Sequence, residues 1–253
     1  MTAPVVCSIG CTDPWNAAGL GLDVRAIAAC GARAVCVVAG VTAQTSRGVH
    51  AAEPVSAQLV GAQLAALAEA GIAAYRIGAL LDRATVEAVG AHVAGVSVPV
   101  VYDPVLAPSG GGRFASAAVV RAIVERLLPH VDLVTPNLAE AAQLSGLPEP
   151  SDARAMERAA RALVAAGAGA VLVKGGHLRE TPIDVLVDAD GAHRFEDSRM
   201  SGNLRGTGCL LADAVAAALA RGDALREAIR AGRAFVRERF ASSIAFGEMR
   251  VAY

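Results

Sequence analysis

Apolar runs of strand length alternate with longer helical segments along the whole chain, and this alternation is the strongest constraint on its fold. Strands are predicted over residues 5–9, 34–41, 73–77, 98–102, 131–134 and 170–173. Each run is apolar nearly throughout, which suits strands that are covered on both faces. The alternation therefore predicts an α/β fold with a mostly parallel central sheet and helices on both of its faces.

Helices are predicted between these strands and after the last of them. They cover residues 22–30, 54–70, 84–93, 116–128, 138–145, 152–166, 208–221 and 223–240, and a polar loop is predicted over 42–50. The pair Asp190-Gly191 lies between two short extended runs, which predicts a small hairpin over 184–195. No repeat, linker or change of composition divides the sequence, so we expect a single domain over residues 1–253.

Composition argues against several classes of partner. Hydrophobic residues make up 54% of the chain and charged residues 19%, with a net charge of −1 and no basic block. Such a chain is expected to fold and not to bind nucleic acid, because phosphate-backbone binding needs clustered lysine and arginine. No apolar run reaches the roughly 18 residues of a membrane span, and the first residues lack the positive start of a signal peptide. No membrane association is therefore expected.

The cysteines point to a reducing compartment. The chain has five of them without metal-binding spacing: Cys7, Cys11, Cys30, Cys36 and Cys209. This pattern argues against a disulfide framework or a zinc site. We therefore expect a cytoplasmic protein.

A glycine-rich segment leads directly into an alanine-rich helix near residue 208. Gly206, Thr207 and Gly208 would leave several backbone N–H groups unpaired at the helix start, where the helix dipole also attracts anions. Cys209 follows in the first turn, and its thiol is expected to be biased toward the thiolate there. The segment is interpreted as a phosphate-binding loop, with a glycine-rich connection beside a buried cysteine as the alternative.

Polar residues follow four of the predicted strands. They are Asp13, Asp103, Asn137 and Lys174. Because the carboxyl ends of parallel strands share one edge of a sheet, these residues are expected to converge near the phosphate-binding loop. A carboxylate, an amide and a lysine around a phosphate site suit Mg²⁺-assisted phosphoryl transfer. The sequence has neither a P-loop motif nor a strand-linked G-x-G-x-x-G, which argues against a P-loop enzyme and a nicotinamide site.

Some of these residues also have a plainer interpretation. Asp103 precedes Pro104, and the pair can simply form a turn. Asn137 lies three residues before Glu140, which is the spacing of a helix capping box. Lys174, at the end of an apolar strand, is less easily explained by local structure alone.

Six segments match the motifs of a known kinase family, in register over nearly the whole chain. They read GCTDPWNAAG (10–19, with GLD at 21–23), AQTSRGV (43–49), DPV…SG (103–110), TPNLAEA (135–141), KGGH (174–177) and GTGC (206–209). On these motifs the chain resembles the hydroxymethylpyrimidine/phosphomethylpyrimidine kinases of thiamin biosynthesis. The resemblance implies a three-layer ribokinase-like fold, ATP and Mg²⁺ as cofactors, a pyrimidine alcohol as substrate and a homodimer.

The resemblance also implies roles for individual residues. It assigns the substrate pocket to Cys11, Ala18, Asp23, Gln44, Ala79 and Val105. Within this pocket, Asp23 and Gln44 would bind the aminopyrimidine edge, and Val105 would pack on the ring. It assigns the catalytic anion hole to Gly206, Thr207, Gly208 and Cys209, with Cys209 beside the substrate hydroxymethyl group. It assigns the nucleotide phosphates to Asp103, Asn137, Lys174 and Thr207, and the magnesium ion to Glu140 and Asp103.

Several positions depart from the family motifs. Cys11 stands for a glycine, residues 15–17 for Ser-Gly-Gly, Ala79 for a methionine against the pyrimidine, and Arg205 for a histidine before the anion hole. The ending at 246–253 also lacks the pattern G-x-G-P-x-x-H. The phosphoryl chemistry is expected to be kept, whereas the identity of the alcohol stays open.

Two classes of function remain. The first is an ATP-dependent kinase of hydroxymethylpyrimidine, of its monophosphate, or of a B6-type alcohol such as pyridoxal. The second is a pyrimidine-binding sensor of the same fold that has lost turnover. Retention of the GTGC segment together with Lys174, Asp103 and Glu140 favours the enzyme.

Overall fold

The computed structural model describes residues 2–46, 48–107, 114–176, 178, 182–200, 202, 204–246 and 249–252. Its strands are β1 (Val5–Cys11), β2 (Arg33–Thr45), β3 (Gly48–Pro54), β4 (Ile72–Ile77), β5 (Val100–Tyr102), β6 (Leu133–Val134), β7 (Val171–Val173), β8 (Ile183–Asp188), β9 (Gly191–Glu196), β10 (Ile244–Phe246) and β11 (Met249–Val251). The first nine form one sheet in the order β3-β2-β1-β4-β5-β6-β7-β8-β9. Its six central strands run parallel, and β3, β8 and β9 are added antiparallel at the two edges. The mostly parallel sheet is thereby confirmed, and the single domain over residues 1–253 stays a prediction.

Helices cover both faces of the nine-stranded sheet. They are α1 (Gly19–Ala29), α2 (Ala57–Ala66), α3 (Arg83–Val93), α4 (Ala117–Ala122), α5 (Leu138–Ser145), α6 (Ala153–Ala165), α7 (Thr207–Ala220) and α8 (Leu225–Ala241). One hydrophobic core packs α2 to α6 against one face, and a second packs α1, α7 and α8 against the other. In β5, Val101 faces the second core while Val100 and Tyr102 face the first, which is why such strands are apolar throughout. Within the described part of the chain, no helix has both the length and the apolarity to cross a membrane.

The polar segment after the second strand is largely a hairpin and not the loop predicted over 42–50. Strand β2 continues to Thr45 and pairs with the antiparallel β3. This pairing satisfies the backbone groups, so the segment forms a strand without an apolar face. The loop prediction was wrong because an exposed strand pair, in which Val41 is 53% exposed, lacks the apolar signal that marks buried strands.

The remaining differences concern the bounds of helices and one further hairpin. The helix predicted from residue 54 begins at Ala57, because the Ser56 side chain accepts a hydrogen bond from the Leu59 N–H and caps it. The helix predicted over 116–128 is regular only as α4 and continues as a π turn and a 3₁₀ turn to His130. The hairpin predicted over 184–195 is confirmed by β8 and β9. The C-terminal hairpin of β10 and β11 was not predicted.

Candidate active site

The carboxyl ends of β5, β6 and β7 bring three of the predicted residues together. The ammonium nitrogen of Lys174 lies 2.8 Å from Asp103 Oδ1, and Asn137 forms a parallel backbone bridge with Lys174. The Thr135 hydroxyl donates to Asp103 Oδ1 over 3.3 Å. Although burial acts to raise the pKa of Asp103, Lys174 and Arg76 hold it below its ordinary value. Asp103 is therefore an anion with a lysine partner at the edge of the sheet.

The start of α7 approaches this pair closely. Gly206 is the N-cap of α7 and has a φ of 81°, a left-handed conformation that glycine adopts without strain. A Cβ atom at Gly206 would lie 2.5 Å from the Ala17 carbonyl oxygen. A Cβ atom at Gly208 would lie 3.0 Å from Lys174 Nζ and 3.4 Å from Asp103 Oδ2. The two glycines therefore let the start of α7 contact the loop after β1 and the Lys174–Asp103 pair.

Lys174 and the start of α7 together offer the cation and the N–H groups that an anion site needs. Burial acts to lower the pKa of Lys174, but the carboxylates of Asp103 and Glu140 raise it above its ordinary value. The lysine therefore stays charged, and 18% of its side chain is exposed. The N-cap of α7 is a glycine, which has no side chain to cap the first turn, so the leading N–H groups, beginning with half-buried Thr207, suit a phosphate.

The Cys209 thiol is not biased toward the thiolate, so that prediction was wrong. Cys209 is 8% exposed, and burial raises its pKa to about 12 although Arg76 acts in the opposite direction. The carboxylates of Asp23, Asp103 and Asp213 add to the rise. Loss of solvent outweighs the helix dipole, whose effect on a charge in the first turn is typically about 0.3–1 kcal/mol. Cys209 is therefore a neutral thiol.

Asn137 and Glu140 form the capping box that the plainer interpretation predicted. The Asn137 side chain accepts from the Glu140 N–H over 2.9 Å, and the Glu140 carboxylate accepts from the Asn137 N–H over 2.8 Å. Glu140 is 6% exposed, and burial raises its pKa to about 7. The pair thus starts α5 and holds a carboxyl group close to Lys174.

The carboxylates fit a magnesium ion that arrives with nucleotide phosphates. Glu140 and Asp103 supply the hard oxygen atoms that Mg²⁺ prefers, but these atoms already accept hydrogen bonds from Asn137, Thr135 and Lys174. Among the residues that the structure describes, no group of three or more His, Cys, Asp or Glu side chains is arranged to hold a metal ion. Magnesium commonly binds through one or two carboxylates, water and substrate phosphates, and that mode suits this pair.

A buried ion network joins Asp103 to residues that sequence reasoning missed. Arg76 on β4 lies 3.5 Å from Asp103 Oδ2, 3.2 Å from Asp23 Oδ2 and 3.0 Å from Asp213 Oδ1. Ser8 donates to Asp23 over 2.7 Å. A signal was present in the sequence, because Arg76 and Asp213 are each a charged residue in an otherwise apolar element, and buried charges require partners.

Asp23 belongs to this network and not to the wall of a pocket. Its side chain has no exposed surface, and its Oδ2 atom is shared by Arg76 and Ser8. The resemblance implies a direct contact of Asp23 with the aminopyrimidine, and this role stays a prediction, since Arg76 and Ser8 contact the carboxylate in this structure. A carboxylate with no exposed surface could accept from a ligand amine only if the network opened.

Asp13 shapes the loop that follows β1. Its carboxylate accepts hydrogen bonds from the N–H groups of Trp15, Ala17 and Ala18 at 3.1, 3.2 and 3.1 Å. Ala18 is also the N-cap of α1. Of the four residues predicted to converge, Asp13 therefore supports the loop, while the other three lie together at the carboxyl ends of β5, β6 and β7.

Gln44 lies at the end of β2, facing the same loop. Its amide nitrogen donates to the Thr42 hydroxyl over 2.8 Å, and its amide oxygen accepts from Arg205. The Trp15 indole donates to the Gln44 carbonyl oxygen over 2.8 Å. These bonds bring the predicted substrate residue Gln44 to the segment that leads into the anion site.

Two of the positions that depart from the family motifs contact each other. The Cys11 thiol donates to the Ala79 carbonyl oxygen over 3.4 Å, across the ends of β1 and β4. Cys11 is 6% exposed, and burial raises its pKa to about 12. Val105 is half-buried, and its N–H donates to the Asp103 carbonyl oxygen over 2.8 Å. The motif residues Arg47, Ser109, Gly110 and His177 lie outside the described residues.

The known proteins to which this chain is similar are kinases. Residues 13–252 match the family model of phosphomethylpyrimidine kinase. A hydroxymethylpyrimidine/phosphomethylpyrimidine kinase of Rhizobium meliloti is 38% identical over 239 residues, which cover 93% of this chain and 90% of the relative. A protein of the same name from Streptomyces coelicolor is 35% identical over 238 residues, covering 93% and 88%. An ADP complex of Bacillus subtilis pyridoxal kinase superposes with a TM-score of 0.91 at 26% identity, covering 99% of this chain and 97% of that one. The chain belongs to the phosphomethylpyrimidine kinase family.

Proposed function

We propose that this protein uses ATP to phosphorylate 4-amino-5-hydroxymethyl-2-methylpyrimidine, its monophosphate, or both, in thiamin biosynthesis or salvage. The observation that carries the proposal is the approach of Gly208, at the start of α7, to the Lys174–Asp103 pair. This arrangement offers N–H groups and a cation to one phosphoryl group. Family membership supports the substrate class, and the ADP-bound neighbour supports the nucleotide.

In the proposed step, the hydroxymethyl oxygen attacks the γ-phosphorus of ATP, the bond from that phosphorus to the bridging oxygen breaks, and ADP leaves. The alcohol proton passes to the transferred phosphate. Backbone N–H groups at the start of α7 stabilise the charge on the moving group, while Lys174 neutralises the phosphates. When bound, magnesium supplies further charge neutralisation, and Glu140 and Asp103 would hold it. The neutral Cys209 thiol helps to position the hydroxymethyl group and does not act as a base.

We also propose that the protein acts as a homodimer in the cytoplasm. The free state of all five cysteines supports a reducing compartment. The dimer follows from the family resemblance, and light scattering at micromolar concentration tests it. A monomer under those conditions would contradict the dimer without affecting the proposed reaction.

The test of the reaction is ATP consumption with and without hydroxymethylpyrimidine, with the product identified by mass spectrometry. The expected products are the monophosphate and, from the monophosphate, the diphosphate. Pyridoxal is the second candidate substrate, because the neighbour with the TM-score of 0.91 is a pyridoxal kinase. A higher kcat/KM for pyridoxal would favour that alternative. Binding of a pyrimidine alcohol without turnover of any alcohol would favour a sensor.

Ala79→Met is expected to change the selectivity between these alcohols by roughly ten- to a hundredfold, because a methylene-sized contact is worth about 1–3 kcal/mol of discrimination. Ala79 is half-buried at the end of β4, beside Cys11, so the longer side chain alters the wall that both residues form. The measurement is kcat/KM for hydroxymethylpyrimidine, its monophosphate and pyridoxal. Ala65→Met on the exposed surface of α2 is the control. Unchanged ratios in Ala79→Met would refute the assignment of this wall.

Cys209→Ser is expected to keep kcat/KM within about tenfold of wild type and to leave its pH dependence unchanged between about pH 6 and pH 9. The reason is that burial holds the pKa of the thiol at about 12, so the group stays neutral over this range. The sign follows directly: a raised pKa keeps the proton on sulfur until the pH reaches the raised value. The pH profiles of both proteins check this. An alkaline limb near pH 8 that disappears in Cys209→Ser, or a trapped phosphocysteine, would contradict it.

A further inference from the structure

Arg205 ties the segment before the anion site to the end of β2. Its guanidinium donates to the Thr45 carbonyl oxygen over 2.9 Å and to the Gln44 side-chain oxygen. Its own backbone N–H donates to the Arg250 carbonyl oxygen of β11 over 3.1 Å, and only 11% of its side chain is exposed. Arg205 is thus held through both its backbone and its side chain, directly before Gly206.

The bonds around Gln44 permit one orientation of its amide. The Gln44 amide nitrogen donates to the Thr42 hydroxyl over 2.8 Å, and that hydroxyl donates in turn to the Thr12 carbonyl oxygen over 2.6 Å. A hydroxyl has a single proton, so Thr42 accepts from Gln44 and does not donate to it. A flipped amide would place its NH₂ group against the Arg205 guanidinium and its oxygen against a hydroxyl with no proton to give. Arg205 and Thr42 therefore lock the amide from both ends.

We propose that Arg205 is a positioning residue that sets the ring selectivity of the kinase by locking the Gln44 amide. The inference rests on the proposed function and on the role that the family resemblance implies for Gln44 at the aminopyrimidine edge. In the locked orientation, Gln44 keeps one N–H and one oxygen lone pair for a ligand. An aminopyrimidine matches them with a ring nitrogen and an adjacent exocyclic amine. The pyridoxal ring nitrogen is flanked by a methyl group and a C–H and not by an amine, so pyridoxal gains little from the lock.

The experiment compares Arg205→Met and Arg205→Lys with wild type on hydroxymethylpyrimidine, its monophosphate and pyridoxal. Arg205→Met is expected to lower kcat/KM for hydroxymethylpyrimidine by roughly ten- to a hundredfold, mainly through KM, while pyridoxal changes by less than about threefold. Arg205→Lys keeps a donor for the Gln44 oxygen and is expected to recover part of the loss. In a Gln44→Ala background, Arg205→Met should no longer change the selectivity.

Arg25→Met is the matched control, because Arg25 also donates to the loop after β1, at the Asn16 carbonyl oxygen, but does not contact Gln44 in any described bond. It should leave the selectivity unchanged. Equal losses of kcat/KM on all three alcohols in Arg205→Met would overturn the proposal. They would show that Arg205 only supports the loop. A loss confined to the monophosphate would overturn it in favour of a direct contact with phosphate.

Failure of the proposed function can be recognised separately. A wild-type protein that turns over none of the alcohols would refute the kinase assignment. Calorimetric binding of hydroxymethylpyrimidine and pyridoxal would then still test Arg205, since the lock acts on ring recognition. Equal weakening of both ligands in Arg205→Met would refute the lock, whereas weakening of hydroxymethylpyrimidine alone would support it.

Discussion

Gly208→Val is expected to lower kcat/KM for phosphoryl transfer by about a thousandfold or more, since loss of even one anion-hole donor costs about 10²–10³. A Cβ atom at Gly208 would already lie 3.0 Å from Lys174 Nζ and 3.4 Å from Asp103 Oδ2. Valine adds two methyl groups beyond that atom. They would displace the Lys174 ammonium and cover N–H groups at the start of α7. Steady-state kinetics with ATP and hydroxymethylpyrimidine measure the effect.

The control for this substitution is Gly61→Val in α2. Gly61 is also a helical glycine, but a Cβ atom there meets no atom within 4 Å, so no kinetic change is expected. Gly208→Ala should lie between wild type and Gly208→Val, because its single methyl group can be accommodated by a small movement of Lys174. Melting temperatures of all three variants show whether they fold. Gly208→Val that folds and keeps more than about a tenth of wild-type kcat/KM would contradict the anion-site assignment.

The buried strands and the outline of the site could be predicted from the sequence because their signals are local. The run Val100–Tyr102 is apolar on both faces, and Asp103 follows it at the edge where ligands of parallel sheets bind. Lys174 follows β7 in the same way. Strand ends in a parallel sheet meet at one edge regardless of their separation in sequence, so the chain order was sufficient to group these residues.

What could not be predicted depends on contacts that are distant in sequence. The Cys209 thiol lies at a helix start, which favours the thiolate, but burial raises its pKa, and Asp23 and Asp103 from other elements act in the same direction. The motif around Asp23 suggests a contact with a ligand, yet the Asp23 carboxylate pairs with Arg76 from β4. The hairpin of β2 and β3 is polar, so its existence follows from backbone pairing and not from an apolar pattern. Each of these properties arises only when separate elements pack together.

Arg76→Met is expected to lower the free energy of unfolding by about 3–5 kcal/mol, the range for removing one partner of a buried ionic group. Arg76 is 1% exposed and reaches three aspartates that are at most 2% exposed. Methionine fills most of the volume but leaves Asp23 and Asp103 without their shared cation. Urea unfolding at neutral pH gives the difference. If Arg76→Met does not fold, Arg76→Lys, which keeps the charge but not the fork of donors, should fold with an intermediate loss.

The matched control is Arg83→Met, because Arg83 forms a surface pair with Glu87 and its side chain is 65% exposed. No measurable change in the free energy of unfolding is expected there, as is usual for exposed pairs. A loss below about 1 kcal/mol in Arg76→Met would contradict the network. It would mean that the aspartates do not depend on Arg76 for their charge balance.

Asp213→Asn keeps the shape of a side chain in the same network but removes its ability to ionise. The substitution is expected to lower the free energy of unfolding by less than about 1 kcal/mol. Burial and the neighbouring Asp23 raise the pKa of Asp213 well above its ordinary value, which favours the neutral carboxyl form in the folded protein, and an amide resembles that form. The sign of the pH dependence follows. Above the ordinary pKa of aspartate, the unfolded chain has released this proton while the folded protein still holds it, so wild-type stability falls as the pH rises through that window. Asp213→Asn has no titratable group at this position. Its free energy of unfolding should therefore rise relative to that of wild type as the pH increases. A parallel pH dependence of the two proteins in urea unfolding would show that Asp213 is ionised in the folded state.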